Sequence, residues 1–320
     1  MKKVLRIVLY LILAVIVVLV LYISFGMPNV GKAPDLKVEI TPERVERGKY
    51  LATTVMSCVD CHSHRDFSKY AGPVTGDPFA GGIDEFTEDK GAPGNFYASN
   101  LTPYNLGNWT DGEIYRAITA GVKKDGKPIF PAMPYLLYGQ ASDEDIYSVI
   151  AYLRTLPPVE STVPDPEANF PFNIIMKMIP KKGNPQSIPP KSDLLAYGKY
   201  MTNIAGCVDC HTPQEKGQFV TELSYAGNME FILPNGIVRS ANITPDKKTG
   251  IGNWTEEMFI SRFKILNDST FANQDVSNFN TTMPWTIFKN MDEYDLKAIY
   301  TYLHSLAPIE HQVVRFTKND

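Results

Sequence analysis

The sequence predicts an all-α fold, in which an N-terminal transmembrane helix precedes two tandem copies of one helical domain. Three observations support this fold: an apolar N-terminal run, an internal duplication, and apolar residues spaced at the period of an α-helix. A chain of 320 residues is long enough for two domains with cores of their own. We expect an anchor and linker over residues 1–36, domains over 37–158 and 191–313, and a proline-rich linker over 159–190.

The first element is the apolar run over residues 4–25, which carries no charge after Arg6. Its length matches the ~20 residues that an α-helix needs to cross a bilayer. The preceding Lys2 and Lys3, together with Arg6, favour a cytoplasmic N-terminus. A cleaved signal peptide is the alternative, but its apolar region is usually only about 7–15 residues long. We therefore expect a single-pass protein of the cell inner membrane, with both domains in the periplasm.

The net charge is −4 at pH 7, and the chain beyond the three cations of residues 1–6 is near −7. Nucleic-acid phosphates need cationic partners, so this charge argues against nucleic-acid binding. An acidic surface suits a basic protein partner, although solubility is the simpler interpretation.

The two expected domains are a duplication, because three pairs of similar blocks follow each other in the same order. The offsets lie between 142 and 150 residues, and three blocks in register are hard to obtain by chance. The paired blocks are 47–63 with 197–212, 99–110 with 241–255, and 133–159 with 283–309.

Helix starts are visible in both copies. Thr41 precedes a proline, Thr110 precedes Glu113 by three residues, and Ser142 and Asp292 precede acidic turns, as N-caps do. The last block of each copy then has apolar residues at i, i+3, i+4 and i+7, which predicts one buried helical face. These residues are Ile146, Val149, Ile150 and Leu153 in the first copy, and Leu296, Ile299, Tyr300 and Leu303 in the second.

The segments between the helices are rich in Gly and Pro, and residues 71–98 are expected to form a long loop. The proline-rich linker is expected to be a stiff connector. Its apolar patch, residues 174–179, is expected to pack between the two domains, with a membrane-surface contact as the alternative. Short helices with long loops suggest that something large fills each centre.

Two identical C-V-D-C-H motifs, at residues 58–62 and 207–211, carry the chemistry. C-x-x-C-H is the attachment signature of c-type haem: the cysteines bond the porphyrin and the next histidine ligates iron. A thioredoxin-like pair would sit in a βαβ context, and a four-cysteine zinc site would leave both histidines unexplained. We therefore predict two covalently bound haem c groups. The bonded residues are Cys58, Cys61, Cys207 and Cys210, with His62 and His211 as iron ligands.

A sixth iron ligand is predicted in each copy. Met133 lies 72 residues after Cys61, and Met283 lies 73 residues after Cys210; both are followed by proline and then by the last helix. A methionine is often a core filler, but equivalent Met-Pro positions in both repeats favour axial ligation. Five methionines without a counterpart in the other copy are predicted to be packing residues: Met56, Met201, Met229, Met258 and Met291.

Four further residues are placed beside the predicted haems. Trp109 and Trp254 share a G-N-W-T setting, and a buried indole N–H could donate to a haem propionate or simply lie in the core. Asn100 and Asn242, in N-[LI]-T-P, could hold the same edge of the cofactor or form a turn. The other histidines are expected to be exposed and not ligands; they are His64, His304 and His311.

With these motifs the chain resembles the dihaem class I cytochromes c, close to the cytochrome subunits of membrane-bound alcohol, aldehyde and gluconate dehydrogenases. The resemblance covers residues 40–160 and 190–312 and rests on GKY, C-x-x-C-H, N-[LI]-T-P, G-x-W-[ST] and Met-Pro. It implies helices wrapped around each haem, with His62/Met133 and His211/Met283 as axial pairs. Those subunits commonly carry three haem sites, and this sequence has two.

The predicted function is single-electron transfer between a periplasmic or membrane dehydrogenase and the respiratory chain, without enzymatic activity of its own. His/Met ligation fills both axial positions and leaves no open site for substrate. The donor and acceptor are expected to be redox proteins, including a dehydrogenase subunit or a terminal oxidase. The alternative is a dihaem enzyme of the peroxidase or oxidase type with one open haem site; a third possibility is a sensor or scaffold with structural haem.

Overall fold

The structure, a computed structural model, describes residues 1–215, 217–265 and 273–318, apart from the side chains of residues 83–85. Its helices are α1 Lys2–Gly26, α2 Pro42–Tyr50, α3 Cys58–Cys61, α4 Pro103–Leu106, α5 Asp111–Ala120, α6 Tyr135–Tyr138, α7 Asp143–Thr155, α8 Phe172–Ile175, α9 Leu194–Ile204, α10 Cys207–His211, α11 Glu256–Lys264, α12 Trp285–Phe288 and α13 Glu293–His304. Its strands are β1 His64–Arg65, β2 Val74–Thr75, β3 Gly82–Phe86, β4 Gly94–Ala98, β5 Glu167–Ala168, β6 Gln214–Glu215, β7 Gln218–Phe219, β8 Glu230–Leu233, β9 Gly236–Arg239 and β10 Phe316–Lys318.

The all-α prediction is wrong, because the chain is 42% helix and 10% strand and is therefore mixed α/β. The strands form small antiparallel sheets in the orders β1-β2, β3-β4-β5, β6-β7 and β8-β9-β10. Residues 71–98, expected to be a loop, contain β2, β3 and β4. Strands of two to five residues are too short to show a clear alternating pattern. Several also find their partners far along the chain, as β4 does with β5.

The predicted N-terminal apolar helix is confirmed as α1, which has 25 residues and contains an 18-residue stretch with a mean hydropathy of 3.2. None of its residues is buried against the rest of the chain. At 1.5 Å per residue the helix is about 37 Å long, more than the ~30 Å of a hydrocarbon core. By length and composition it qualifies as a membrane span or a signal segment.

In each repeat an early helix crosses the last one, α2 on α7 and α9 on α13. Gly48 and Gly198 lie at these crossings. A Cβ on Gly48 would collide with the carbonyl of Ser148, and one on Gly198 with that of Ala298. The close approach of the two helices therefore requires the glycine of each GKY motif.

The predicted helical faces of α7 and α13 are confirmed, since seven of the eight residues are buried and Tyr300 is half-buried. The side chains of Thr41, Thr110 and Ser142 cap their helices, and Glu113 completes a capping box with Thr110. Asp292 occupies the N-cap position of α13, as predicted, but its side chain makes no cap bond.

The two repeats contact each other through a reciprocal pair of hydrogen bonds. Tyr50 Oη donates to Asp295 Oδ2 at 2.7 Å, and Tyr200 Oη donates to Asp145 Oδ2 at 2.6 Å. Both carboxylates are only 1% exposed. Each lies in the first turn of the last helix, where the helix dipole favours a negative charge. Burial and the neighbouring carboxylate raise the pKa of Tyr50 and Tyr200, so both hydroxyls remain donors.

Removing either hydroxyl is expected to destabilise the protein. Tyr50→Phe and Tyr200→Phe should each lower the free energy of unfolding by about 1.5–3 kcal/mol, because each leaves a buried carboxylate short of a donor. Chemical denaturation of the haem-loaded chain measures this. Tyr104→Phe, at an exposed tyrosine, is the matched control. Equal stability of all three variants would contradict the importance of this contact.

The apolar patch of the linker does not pack between the repeats, and that expectation is wrong. Ile174, Ile175 and Met178 are exposed. The segment rests instead on the first repeat, where the ring of Phe172 meets Phe96 and Phe130 edge-on at centroid distances of 6.0 and 5.9 Å.

Candidate functional site

Both C-x-x-C-H motifs begin in the same backbone geometry. Ser57 and Gly206, immediately before the first cysteine, adopt left-handed conformations with φ of 45° and 67°. This turn ends the preceding helix and starts α3 or α10, each a single turn that carries both cysteines of its pair. Two cysteines three residues apart on one turn point along one helical face, as attachment to a single porphyrin requires.

Each histidine that follows is held by a backbone carbonyl. His62 Nδ1 lies 2.6 Å from Ser99 O, and His211 Nδ1 lies 2.7 Å from Ala241 O. A carbonyl only accepts, so the proton is on Nδ1 and the lone pair is on Nε2. Burial lowers the pKa of both imidazoles, that of His211 to about 4. Both histidines are therefore neutral and oriented, which is the state of a metal-ligating imidazole.

The thiols do not resemble those of a redox pair. Burial raises the pKa of Cys58 and Cys207 to about 12, so both are protonated at neutral pH. A redox-active pair needs a thiol whose pKa is lowered, and neither of these two thiols has one. Among the described residues, no three His, Cys, Asp or Glu side chains converge on a common point. The two thiols, the neutral imidazole and the local turn of each motif fit a covalently held haem c.

The Met-Pro positions are also equivalent in local structure. Pro134 and Pro284 have ψ angles of 49° and 59°, and the residue after each proline donates its N–H to the methionine carbonyl at 2.8 and 2.7 Å. Met133 and Met283 are half-buried against the core cluster that both repeats share. Cys58 lies against the same cluster. Axial ligation by Met133 and Met283 stays a prediction with matched geometry in both repeats.

The two asparagines form a turn. Asn100 Nδ2 donates to Val159 O at 2.9 Å, while its Oδ1 accepts from Thr102 N at 2.8 Å. Asn242 makes the same bonds to Ile309 O at 2.7 Å and to Thr244 N at 2.9 Å. Each amide thus ties the loop that carries the histidine-holding carbonyl to the segment after the last helix.

Replacing these asparagines is expected to cost stability. Asn100→Ala and Asn242→Ala should each lower the free energy of unfolding by about 2–4 kcal/mol, because several buried donors and acceptors lose their partner. Thermal and chemical denaturation of the haem-loaded chain measure this loss. Asn173→Ala, at an exposed position, is the control. An unchanged stability together with a changed absorption spectrum would favour the cofactor-edge interpretation.

The tryptophans and the remaining histidines differ in burial and in the partners of their side chains. Trp109 and Trp254 are half-buried against the core, and neither indole N–H bonds to another residue in the described part of the chain. His64 is exposed as expected. The expectation is wrong for His304 and His311, which are half-buried: His304 stacks on Tyr300 at 4.1 Å, and His311 Nδ1 lies 3.0 Å from Ala226 O.

Sequence reasoning missed two contacts of the site. Tyr138 is buried, donates to Met56 O at 2.8 Å, and lies among the thiols of the first motif and Asp209 of the second, which with burial raise its pKa. Arg65 forms an ion pair with Asp60 inside the first motif at 3.0 Å. The position equivalent to Arg65 in the second repeat is Gln214, and only a comparison of the two copies would have shown this difference.

Three known proteins with similar sequences are cytochromes or cytochrome subunits. The chain is 30% identical over 292 residues to a dihaem cytochrome c-type protein of Cereibacter sphaeroides, covering 87% of this chain and 90% of that one. It is 27% identical over 312 residues to the cytochrome c subunit of the quinone alcohol dehydrogenase of Gluconobacter oxydans, covering 90% of this chain and 58% of the subunit. It is 29% identical over 275 residues to the fructose dehydrogenase cytochrome subunit of Gluconobacter japonicus, covering 82% and 52%.

The chain therefore spans between half and three fifths of those two dehydrogenase subunits. No protein-family model matches it. Two of these relatives are cytochrome subunits of dehydrogenases and one is a dihaem c-type cytochrome, so covalent haem c is the cofactor of the class.

Proposed function

Because the chain belongs to the family of the dihaem c-type cytochromes, we propose that it is a membrane-anchored carrier with two covalently bound haems. It takes single electrons from a dehydrogenase and passes them toward the respiratory chain. One site belongs to residues 37–158 and the other to residues 191–313, with 159–190 as the connector. The anchor is α1, with the N-terminus in the cytoplasm and the haem domains in the periplasm.

One observation supports the proposal most strongly. The two C-x-x-C-H motifs have the same donor geometry, with a neutral histidine fixed through Nδ1 and a Met-Pro turn equivalent in each repeat. In this proposal the four cysteines would hold the cofactors covalently, and His62 with Met133 and His211 with Met283 would ligate the two irons. Bound haem c supplies a one-electron Fe(III)/Fe(II) couple whose potential depends on axial ligand, burial and hydrogen bonding.

The chain's own residues orient the imidazole ligands and hold the two repeats together. The carbonyls of Ser99 and Ala241 fix the imidazole orientation, and a hydrogen-bonded Nδ1–H makes the imidazole a stronger ligand. The carboxylates of Asp145 and Asp295 join the repeats through the tyrosine hydrogen bonds. Ionisable groups of both attachment motifs lie near enough to raise the pKa of Tyr138, which supports a relay in which the two sites are close together.

The two sites are expected to differ in reduction potential. Arg65 balances Asp60 beside the first motif, whereas Gln214 leaves Asp209 without that cation beside the second. A net negative charge favours the oxidised iron, so the second site should have the lower potential. Arg65→Gln should lower the reduction potential of the first site and narrow the difference between the two potentials. A spectroelectrochemical titration measures both. Gln214→Arg is the reciprocal control, and a gap that widens in Arg65→Gln would contradict this assignment.

Binding of carbon monoxide separates the carrier from the enzyme alternative. A carrier with both axial positions filled should bind little carbon monoxide in the reduced state, because no coordination position is open. The measurement is an optical titration of the purified, dithionite-reduced chain. Rapid binding of one equivalent per chain would contradict the carrier and favour a peroxidase or oxidase with one open haem.

A further inference from the structure

The linker between the repeats carries an apolar surface that no contact of the haem sites explains. We call residues 169–182 the linker patch. Phe170 is 79% exposed, and Ile174, Ile175 and Met178 are between 37% and 44% exposed. Contiguous apolar surface of this kind on a folded domain indicates a place where another apolar body docks.

The linker patch is anchored to the first repeat by its inner side chains. Phe172 packs against the stacked rings of Phe96 and Phe130, and Met176 is buried. The strand β5, just before the patch, pairs with β4 of the first repeat. The exposed apolar side chains are therefore presented by an ordered segment with an inner, anchored face and an outer, free face.

The patch lies at the outer end of the apolar helix. Lys177 Nζ donates to Ser24 O at 3.2 Å, and Ser24 is in the last turn of α1. If α1 spans the bilayer, the patch sits at the level where the helix leaves the hydrocarbon. Apolar side chains beside basic ones at that depth are typical of interfacial membrane segments.

The positive charge of the linker region indicates which kind of partner surface it can bind. Residues 168–192 contain four lysines and no acidic residue, although the chain as a whole has a net charge of −4. A basic redox partner would be repelled here, while anionic lipid headgroups would be attracted. The four lysines are Lys177, Lys181, Lys182 and Lys191.

From this geometry we propose that the linker patch docks on the bilayer surface, with Phe170, Ile174 and Met178 among the lipids and the lysines at the headgroups. It rests on the anchoring role proposed for α1. The contact would restrict rotation of the first repeat about the anchor and set which face of the protein a membrane partner meets.

The test is photocrosslinking of the full, haem-loaded chain in nanodiscs that contain anionic phospholipid. The photoreactive residue p-benzoylphenylalanine replaces Phe170 in one variant, Tyr22 inside α1 in a second, and Phe219 in a third. Phe219 is 42% exposed, and residues 215–222 hold two glutamates and one lysine, so it is an exposed aromatic in a stretch without net positive charge. Lipid adducts are counted by mass spectrometry.

We expect lipid adducts at positions 170 and 22, with a yield at 170 at least about fivefold above that at 219. Lys181→Glu with Lys182→Glu should lower the yield at 170 by at least about threefold. Adducts at 22 but not at 170 overturn docking and leave the anchor intact. Adducts at 170 only to a protein overturn it in favour of a partner surface. Absence of adducts at both positions overturns the anchor and the docking together.

Discussion

Met133→Ala and Met283→Ala should each remove the thioether–iron absorption band of one haem while leaving that of the other. The reduction potential of the affected haem should fall by on the order of 100 mV, inside the ~0.8 V range that axial ligands span. Loss of the sulfur donor also opens a coordination position, so each variant should bind one equivalent of carbon monoxide. Absorption spectroscopy and a redox titration of the purified protein measure these effects.

The control for both variants is Met258→Ala, since Met258 is half-exposed on α11 and has no counterpart in the other repeat. It should leave both bands and both potentials unchanged. If either Met-Pro variant behaves like Met258→Ala, that methionine is not an iron ligand. Because the two turns have matching backbone angles, the two variants should show effects of similar size.

The second large effect concerns attachment. Cys58→Ala with Cys61→Ala should yield a chain with one covalent haem in place of two, and Cys207→Ala with Cys210→Ala should do the same. Each pair lies on one helical turn, and the chain's four cysteines are all in these two motifs. A missing pair therefore cannot be replaced by another cysteine of the same repeat. The repeat without haem should also unfold first, because its central filler is lost.

Intact-mass measurement of denatured protein gives the number of haems on each variant, and thermal denaturation followed at the haem band gives stability. The two double variants are controls for each other. A double variant that keeps both haems would show that its motif does not attach one. A single-cysteine variant is less decisive, because one thioether can still hold the porphyrin.

The features that the sequence predicted correctly are local. The caps at Thr41, Thr110 and Ser142 depend on bonds within three residues, and the buried faces of α7 and α13 follow from a short period. The duplication was visible because the same blocks occur twice, and it gave both attachment motifs.

Several of the features that were missed are non-local. The pairing of β4 with β5 and of β9 with β10 joins residues about 70 or more positions apart, which no short pattern encodes. One strand pair did carry a signal: Pro234-Asn235-Gly236 between two apolar runs is typical of a hairpin, and β8 and β9 flank it.

Distance along the chain also limited what the sequence could predict about the site. Asn100 was left between a cofactor role and a turn because its acceptor, Val159 O, lies 59 residues away. The burial of Asp145 and Asp295 was not predicted, since one tyrosine that donates to each carboxylate comes from the other repeat. Acidic residues in a first helical turn are ordinarily explained by the helix dipole alone.

The most direct test is the haem content of the full chain, produced with haem c maturation and purified from membranes. Intact mass and a pyridine haemochrome titration against protein concentration give the number of covalent haems. We expect two per chain, both low-spin and both with a histidine and a methionine as axial ligands. A colourless chain, or a chain that carries a single haem, would contradict the assignment of two haem c sites.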